Sequence, residues 1–401
     1  MRLNNLPQEF IDAKPVLDTI KEAGFEAYFV GGSVRDTLLG LKIHDVDIAT
    51  SAYPEEIKHI FKKTVDTGIE HGTVMILDHG QGYETTTFRT ESGYQDYRRP
   101  DKVTFVRSLK DDLKRRDLTI NALALAADGE VIDLFDGLKD LQERRIKAVG
   151  NPNERFHEDA LRMMRAIRFA SQLNFEIEDA TLAAIVQNAP LLAKIAVERI
   201  NVEFVKLMLG KDVKKGLEPF ITSGLYQYCP QFLKHQQDLK DLLKLNQITC
   251  ENEEMCWTLL LFALHITKPA AFLKVWKVSN EMIRHVEKAL TCLNDLKQEQ
   301  LDALSMYHAG EKALKLALAV AKLYQPSLDK AHILADYQAL PIKNKDELRL
   351  NGKILLQETN LKPGPQLGKI LNEVERQVVI GQIKNEKTKL LQLAQQLNAT
   401  K

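Results

Sequence analysis

Little in this chain speaks for a membrane, a disulfide scaffold or a thiolate metal site. Its 401 residues hold four cysteines, Cys229, Cys250, Cys256 and Cys292, with no CxxC pair and no histidine cluster beside them. A disulfide framework or zinc site is therefore not expected, and a reducing, cytoplasmic setting fits. No run of about 18 apolar residues occurs, so no membrane-spanning helix is expected. The opening MRLNNLPQEFIDAKP lacks the basic and apolar regions of a secretory signal. Net charge is also absent: 55 Lys+Arg balance 55 Asp+Glu. That excludes a blanket binder of nucleic acid but allows a local basic groove. No internal repeat or low-complexity tract stands out.

What is present falls into two textures. Residues 1–150 carry short apolar runs punctuated by glycine: EAYFVGG, DVDIAT, GTVMILD, YETTTF, KVTFV and VIDLF. These predict strands, with helices over residues 54–63 and 121–127. From about residue 153 the apolar spacing becomes i, i+3, i+4, as in ERFHEDALRMMRAIRFASQL and EKALKLALAVAKLY. Breaks are expected near 151–152, 210–216, 326 and 362–365. The fold class expected is an α+β head with a mixed sheet, followed by an all-α remainder.

The head carries the chemistry. In FVGGSVRD (residues 29–36) a strand runs through a Gly-Gly turn into a short helix, with Ser33 as expected N-cap and Gly40 as the closing residue. Bare backbone at such a turn lets a phosphate approach the helix N-terminus. IHDVDIAT (43–50) is expected to be one strand, projecting Asp45 and Asp47 from the same face while Val46 and Ile48 face the core. Two like charges side by side call for a cation between them, and Mg²⁺ suits two carboxylates. Arg116, just ahead of an apolar stretch, can reach a triphosphate; the plainer alternative is a cap paired with Asp117. On a helical wheel of residues 155–171, Arg162, Arg165 and Arg168 form a stripe opposite an apolar face. Neighbouring like charges repel, so either an anionic or acceptor-rich ligand or the adjacent Glu158 and Asp159 must balance them.

GGSVRD followed by DVDIAT resembles the signature of the nucleotidyltransferase superfamily in its polymerase-β-like form. KRRDLTINALA (114–124) resembles the RRDxTINA motif of class II tRNA nucleotidyltransferases and bacterial poly(A) polymerases, and VIDLFDG (131–137) is similar to their next motif. The resemblance is strongest over residues 28–210. It implies a catalytic head (1–150), a base-recognising neck (151–210), a helical body (211–325) and a tRNA-binding tail (326–401). It implies template-independent CCA addition to tRNA from CTP and ATP, with Asp45 and Asp47 on Mg²⁺ and Gly32, Arg35 and Arg116 around the triphosphate. Glu158, Asp159 and Arg162 match the EDxxR motif, in which a carboxylate accepts from the amine that cytosine and adenine share. Arg165 and Arg168 are carried over as further nucleotide contacts, and Glu84 as a candidate third carboxylate.

The polar stretch FRTESGYQDYRRPDKV (88–103) is expected to be a mobile loop that such enzymes use in passing from C to A addition, with Arg89, Arg98 and Arg99 as contacts. Its length disfavours an enzyme adding only CC or only A. Tyr226, Tyr228, Trp257, Trp276 and His265 are expected in the core. Residues 362–401 hold seven Lys/Arg against three acids, which suits backbone phosphates of tRNA. Rivals are a poly(A) polymerase, a non-catalytic RNA-binding protein on a decayed head, and an antibiotic-modifying nucleotidyltransferase. Whether the chain is a homodimer stays open.

Overall fold

The Val-, Ile-, Phe- and Thr-rich runs of the first 150 residues form strands, as their composition demands. The structure, a computed structural model, describes residues 1–95, 99–359 and 361–399; for residues 91–95 and 99–102 only backbone is described. Two compact units result, Met1–Gln236 and Gln237–Lys401. The expected head and neck both fall in the first.

Its sheet is built from β1 (Ala27–Val30), β2 (Asp47–Thr50), β3 (Thr64–Gly68), β4 (Thr73–Asp78), β5 (Gln81–Thr87), β8 (Leu123–Leu125) and β9 (Val131–Asp133). The order is β3-β4-β5-β2-β1-β8-β9, with β2 and β5 parallel and the other neighbours antiparallel. This is the mixed sheet expected of a polymerase-β-like head. Helix α1 (Gln8–Glu22) buries Phe10, Ala13, Val16, Leu17 and Ile20, a 3.6-residue spacing, and sets Phe10 4.6 Å from Phe29 of β1. Helix α2 (Gly32–Leu38) follows β1 directly, and α3 (Pro54–Ile60) follows β2.

Three local expectations need correction. Ser33 is not the N-cap of α2; Gly31 is, at φ 76°, and the Ser33 hydroxyl donates to the Val30 carbonyl. Gly40 does close the helix: its N–H donates to Thr37 and that of Leu41 to Asp36, the paired bonds of a Schellman end. Residues 43–46 are not strand, because β1 supplies partners only as far as the Val30–Asp47 pair. Asp45 therefore precedes β2 rather than alternating with Asp47 along it, and Val46 is only half-buried. Residues 121–127 are not helix either: after a turn at Thr119–Asn121, the Ala- and Leu-rich run becomes β8, buried on both faces beside β1. Tertiary pairing overrides helix propensity there.

The expected loop at 88–103 is a two-stranded antiparallel ribbon, β6 (Arg89–Gln95) against β7 (Arg99–Phe105). Arg98 and the Arg99 side chain lie outside the described residues. Helix α4 (Leu109–Lys114) then leads into the 115–121 segment. The Asp133 carboxylate accepts from the backbone N–H groups of Phe135, Gly137 and Leu138, so this motif's acid secures the start of α5 (Gly137–Gln142).

The helix expected across 155–171 is two, α6 (Pro152–Glu158) and α7 (Leu161–Leu173), broken at Asp159, whose φ of −138° and ψ of 106° are extended. Helices α8 (Asp179–Asn188) and α9 (Val197–Met208) follow. The break expected near 210–216 falls between α9 and the next helix, Val213–Thr222, and its glycines are packing contacts as well. A Cβ on Gly216 would lie 2.8 Å from Ser171 Cβ and 2.9 Å from the Ile167 carbonyl oxygen, so bare backbone is needed against α7.

The second unit is helical throughout its described residues. Trp257 and Trp276 are fully buried, ring centroids 5.2 Å apart, and Tyr226 of the first unit is buried too. His265 is exposed, contrary to expectation: it sits at φ 51° just past helix Glu253–Ala263, and Tyr228 is half-buried. The four cysteines are free thiols. Among the described residues no helix is long and apolar enough to cross a membrane.

Candidate active site

A cleft of about 860 Å³ opens where the end of β1, the 115–121 segment, α7 and α9 converge. Of the predicted site residues, Gly32, Arg35, Asp47, Arg116, Asp159, Arg162, Arg165 and Arg168 line it, whereas Asp45, Glu84, Arg89 and Glu158 do not. Asp45 shares an adjoining 220 Å³ hollow with Asp47, Gly32 and Asp36.

The floor is made by the Gly-Gly turn. A Cβ on Gly31 would lie 3.2 Å from Arg116 Nη1 and 3.7 Å from Asp47 Oδ2. The missing side chain, at a positive φ, leaves room between that guanidinium and that carboxylate. Although Asp47 is exposed, partial desolvation of its carboxyl within the cleft pushes it above the usual carboxylate range, Glu84 and Asp45 add to this, and Arg116 opposes it. Glu84 lies one register step from Thr85, which pairs with Ile48, so it neighbours Asp47 across the β2–β5 ladder. Clustered negative charge on hard oxygen donors, offset only in part by Arg116, is the environment a divalent cation satisfies. Asp45 and Asp47 therefore fit such an ion. Among the described residues no group of three or more His, Cys, Asp or Glu is arranged to hold one.

Arg116 does not pair with Asp117. Its Nη2 donates to Asp112 at 3.2 Å and its Nη1 to the Asn121 carbonyl at 3.3 Å, while its buried Nε has no partner. Arg35 is held by the Asp36 carboxylate and by Asn121 Oδ1 at 2.7 Å, with its guanidinium 4.8 Å from the Phe169 ring. Both arginines are thus fixed before any ligand arrives.

The arginine stripe is not a solvated face. Arg162 and Arg168 are buried, and the row is balanced by the adjacent Glu158 and by two carboxylates from distant segments. Arg162 pairs with Glu158 at 2.6 Å, Arg165 with Asp117 at 2.6 Å and Arg168 with Glu203 at 2.5 Å. Burial would raise the Asp117 carboxyl, but the Arg165 charge, its hydrogen bond and one from Asn121 hold it far below the usual range. Seven arginines and five carboxylates line the cleft, and three further carboxylates outside the lining, Asp36, Asp112 and Glu158, pair with Arg35, Arg115, Arg116 and Arg162.

The break at Asp159 has a purpose in placing its side chain. Oδ1 accepts from the Leu161 N–H at 3.0 Å and Oδ2 from Arg199 Nη2 at 2.9 Å. Arg162 Nη2 donates to the Arg115 carbonyl at 3.0 Å. A carboxylate and a guanidinium, three residues apart and each oriented by a third group, can present an acceptor and a donor to the edge of a base.

Sequence reasoning missed Arg199, Glu203, Asn121 and Asp112. Arg199 and Glu203 are four apart on α9, a spacing that looks like an ordinary surface ion pair, but they partner Asp159, between α6 and α7, and Arg168 of α7 instead. Only long-range pairing identifies them.

Family models match three stretches: the poly A polymerase head domain over residues 27–147, the RNA and SrmB binding site of polymerase A over 174–235, and tRNA nucleotidyltransferase domain 2 over 248–394. The CCA-adding enzyme of Limosilactobacillus reuteri is 59% identical over 399 residues, 99% of either chain. That of Ligilactobacillus salivarius is 57% identical over the same share. Among solved structures, the Bacillus stearothermophilus CCA-adding enzyme in complex with CTP is 39% identical, with a TM-score of 0.90 over 98% of this chain and 99% of that one.

Proposed function

The chain belongs to the family of CCA-adding enzymes, which complete the 3′ end of tRNA without a template, and we propose that the cleft beneath α7 is where it does so. Enzymes of this family work with divalent metal ions, and Mg²⁺ is the ion we assign to Asp45 and Asp47. When bound, it would supply Lewis-acid stabilisation of the phosphoryl oxygens and of the attacking hydroxyl. The chain's own residues do the rest. Arg116 and Arg35 hold the triphosphate beside the bare backbone of Gly31 and Gly32, aligning the α-phosphorus with the tRNA 3′-hydroxyl. As that hydroxyl attacks, pyrophosphate departs with its added negative charge facing Arg116, already held in place by Asp112 and Asn121.

The base is read by Asp159 and Arg162. The carboxylate accepts from the exocyclic amine common to CTP and ATP, and the guanidinium donates to the adjoining ring nitrogen or carbonyl. UTP and GTP present a carbonyl there, which the fixed carboxylate repels. Arg165 and Arg168, neutralised by Asp117 and Glu203, brace this wall and give it further nucleotide contacts. The tail, with its excess of lysine, takes the backbone of tRNA. We keep the four regions, head 1–150, neck 151–210, body 211–325 and tail 326–401, as the working division of labour.

The observation that carries this reading is the placement of Arg116 and Asp47 on either side of the vacant Cβ position of Gly31, in one cleft with the Asp159–Arg199 pair. End-extension of a tRNA transcript lacking its 3′ CCA tests it, with Mg²⁺ and CTP alone, ATP alone, then both. Growth by two with CTP and by three with both is expected. A long ladder with ATP alone would instead identify a poly(A)-polymerising activity and overturn base selection by Asp159 and Arg162.

A further inference from the structure

Asp112 lies outside the cleft, on α4, and is 1% exposed. A carboxylate buried to that degree must have its lone pairs filled. Its Oδ1 accepts from Arg115 Nε at 3.0 Å and from the backbone N–H of Arg89, the first residue of the β6–β7 ribbon, at 3.3 Å. Its Oδ2 accepts from Arg116 Nη2 at 3.2 Å. Burial would raise this carboxyl, yet Arg115 and Arg116 outweigh it and hold it below the usual range.

Those two arginines lead to opposite ends of the nucleotide. Arg116 reaches the phosphate end, beside Gly31 and Asp47. Arg115 leads to the base end, because its carbonyl accepts from Arg162 Nη2 at 3.0 Å. The neighbouring Lys114 carbonyl accepts from Arg155 Nη1 at 3.1 Å. The last carbonyls of α4, which have no partner within their own helix, are thus satisfied by guanidinium groups of the neck. A single carboxylate anchors the segment from which both ends of the nucleotide are addressed, and the ribbon starts from the same anchor.

We propose that Asp112 is a positioning residue that couples triphosphate binding by Arg116 to base selection by Arg162. The coupling rests on the reading of Asp159 and Arg162 as base selectors. In Asp112→Asn, an amide donor replaces one acceptor oxygen and faces a guanidinium, so both arginines lose their fixed point. A displacement of about 1 Å at such a group is enough to change turnover by orders of magnitude.

The test uses the full chain and a tRNA transcript lacking CCA, with kcat and KM for CTP and UTP taken per mole of folded enzyme, alongside thermal melting. Asp112→Asn is expected to raise the KM for CTP about tenfold and to lower the preference for CTP over UTP by about the same factor. Combined with Asp159→Ala, it should lower that preference no further than Asp159→Ala alone, since both act through one recognition edge. A folded Asp112→Asn enzyme with unchanged preference overturns the coupling, whatever its melting temperature, and leaves Asp112 a purely structural acid.

If that variant does not fold, Arg115→Met decides. It removes one tie while keeping the Asp112–Arg116 pair. Reduced preference with a smaller rise in KM supports the proposal, and unchanged preference overturns it. Should Asp159→Ala itself keep the full preference for CTP, base selection by that pair fails and the proposal falls with it. That outcome is separate from the Asp112 arm.

Discussion

The two units of this chain treat charge in opposite ways. In Met1–Gln236, Arg35, Asp112, Asp117, Asp140, Arg162, Arg168 and Glu203 are all buried; none of the described charged residues of Gln237–Lys401 is. There the interior is aliphatic and aromatic, around Trp257, Trp276, Phe272 and Leu260, and charges meet at the surface in pairs such as Arg376–Glu373 and Lys387–Glu358. Burying an ion pair is rarely a route to stability, because desolvation offsets most of the Coulombic gain. The first unit accepts that penalty around the cleft, where the nucleotide we propose there would be met by donors and acceptors already fixed in direction. The second has no such need, and its buried surface stabilises by removing apolar area from water.

That contrast can be broken or sharpened by five experiments. The largest effect should come from Asp47→Ala, which is expected to lower incorporation of both CTP and ATP by about a thousandfold or more while tRNA still binds in a gel-shift assay. Normal turnover in that variant would refute the carboxylate assignment.

Next is the buried pair of Asp117 and Arg165. Asp117→Asn strands a guanidinium, and a loss of about 3–5 kcal/mol in denaturant stability is expected at neutral pH. The sign of the pH dependence follows from the depressed carboxyl: its contribution is complete above the ordinary aspartate range and disappears as pH falls through that range towards the folded-state value. The gap between wild type and variant should therefore narrow on acidification. A gap independent of pH would mean that the pair contributes nothing through its charge.

Asp159→Ala should erode discrimination against UTP by about ten- to a hundredfold, the worth of one well-placed base contact. Retained selectivity would move base reading elsewhere in the cleft.

Smaller again is the expected effect of reversing charge in the second unit. Lys369→Glu with Lys384→Glu should raise the KM for tRNA severalfold and flatten its salt dependence, with the KM for CTP unchanged. An unchanged KM for tRNA would remove the tail from the RNA-binding surface.

The smallest effect is expected at Glu373, whose carboxyl is pulled down to about 2, first by hydrogen bonding from Arg376 and then from Gln377. Its sign matches that of Asp117, with stability lost as pH falls from the ordinary glutamate range towards 2. Its site is solvent-screened, however, so Glu373→Gln should change stability by no more than about 0.5 kcal/mol. An effect as large as that of Asp117→Asn would erase the difference between the two units.

The two regions also differ in how much of them could be read from the chain. Asp45, Asp47, Gly32, Arg35 and Arg116 are local signals: a turn needing bare backbone, paired acids beside it, and a basic run ahead of an apolar one. All but Asp45 line the cleft, and Asp45 lies in the hollow next to it. The strand imagined under Asp45 was not legible, because whether residues 43–46 pair depends on the length of β1. The arginine stripe showed its periodicity and one balancing acid, Glu158, but not the other two. Asp117 and Glu203 sit 48 and 38 residues from Arg165, too far for a helical wheel to connect. Residues 121–127 misled through high helix propensity, which a place in the middle of a sheet overrules.

By itself, then, the sequence determined which groups this protein can bring to a reaction. Short-range geometry links Gly31 to Gly32, Asp45 to Asp47 and Asp159 to Arg162, because turns, paired acids and helix starts are written within a few residues. Only the tertiary structure decided which way those groups point. Arg199 turns Asp159, Asp112 holds Arg116 and Arg115, and Glu203 neutralises Arg168. Each is a contact across elements distant in the chain or hidden beneath the cleft, and the direction of a buried charge is set by the partner that meets it after the chain has closed.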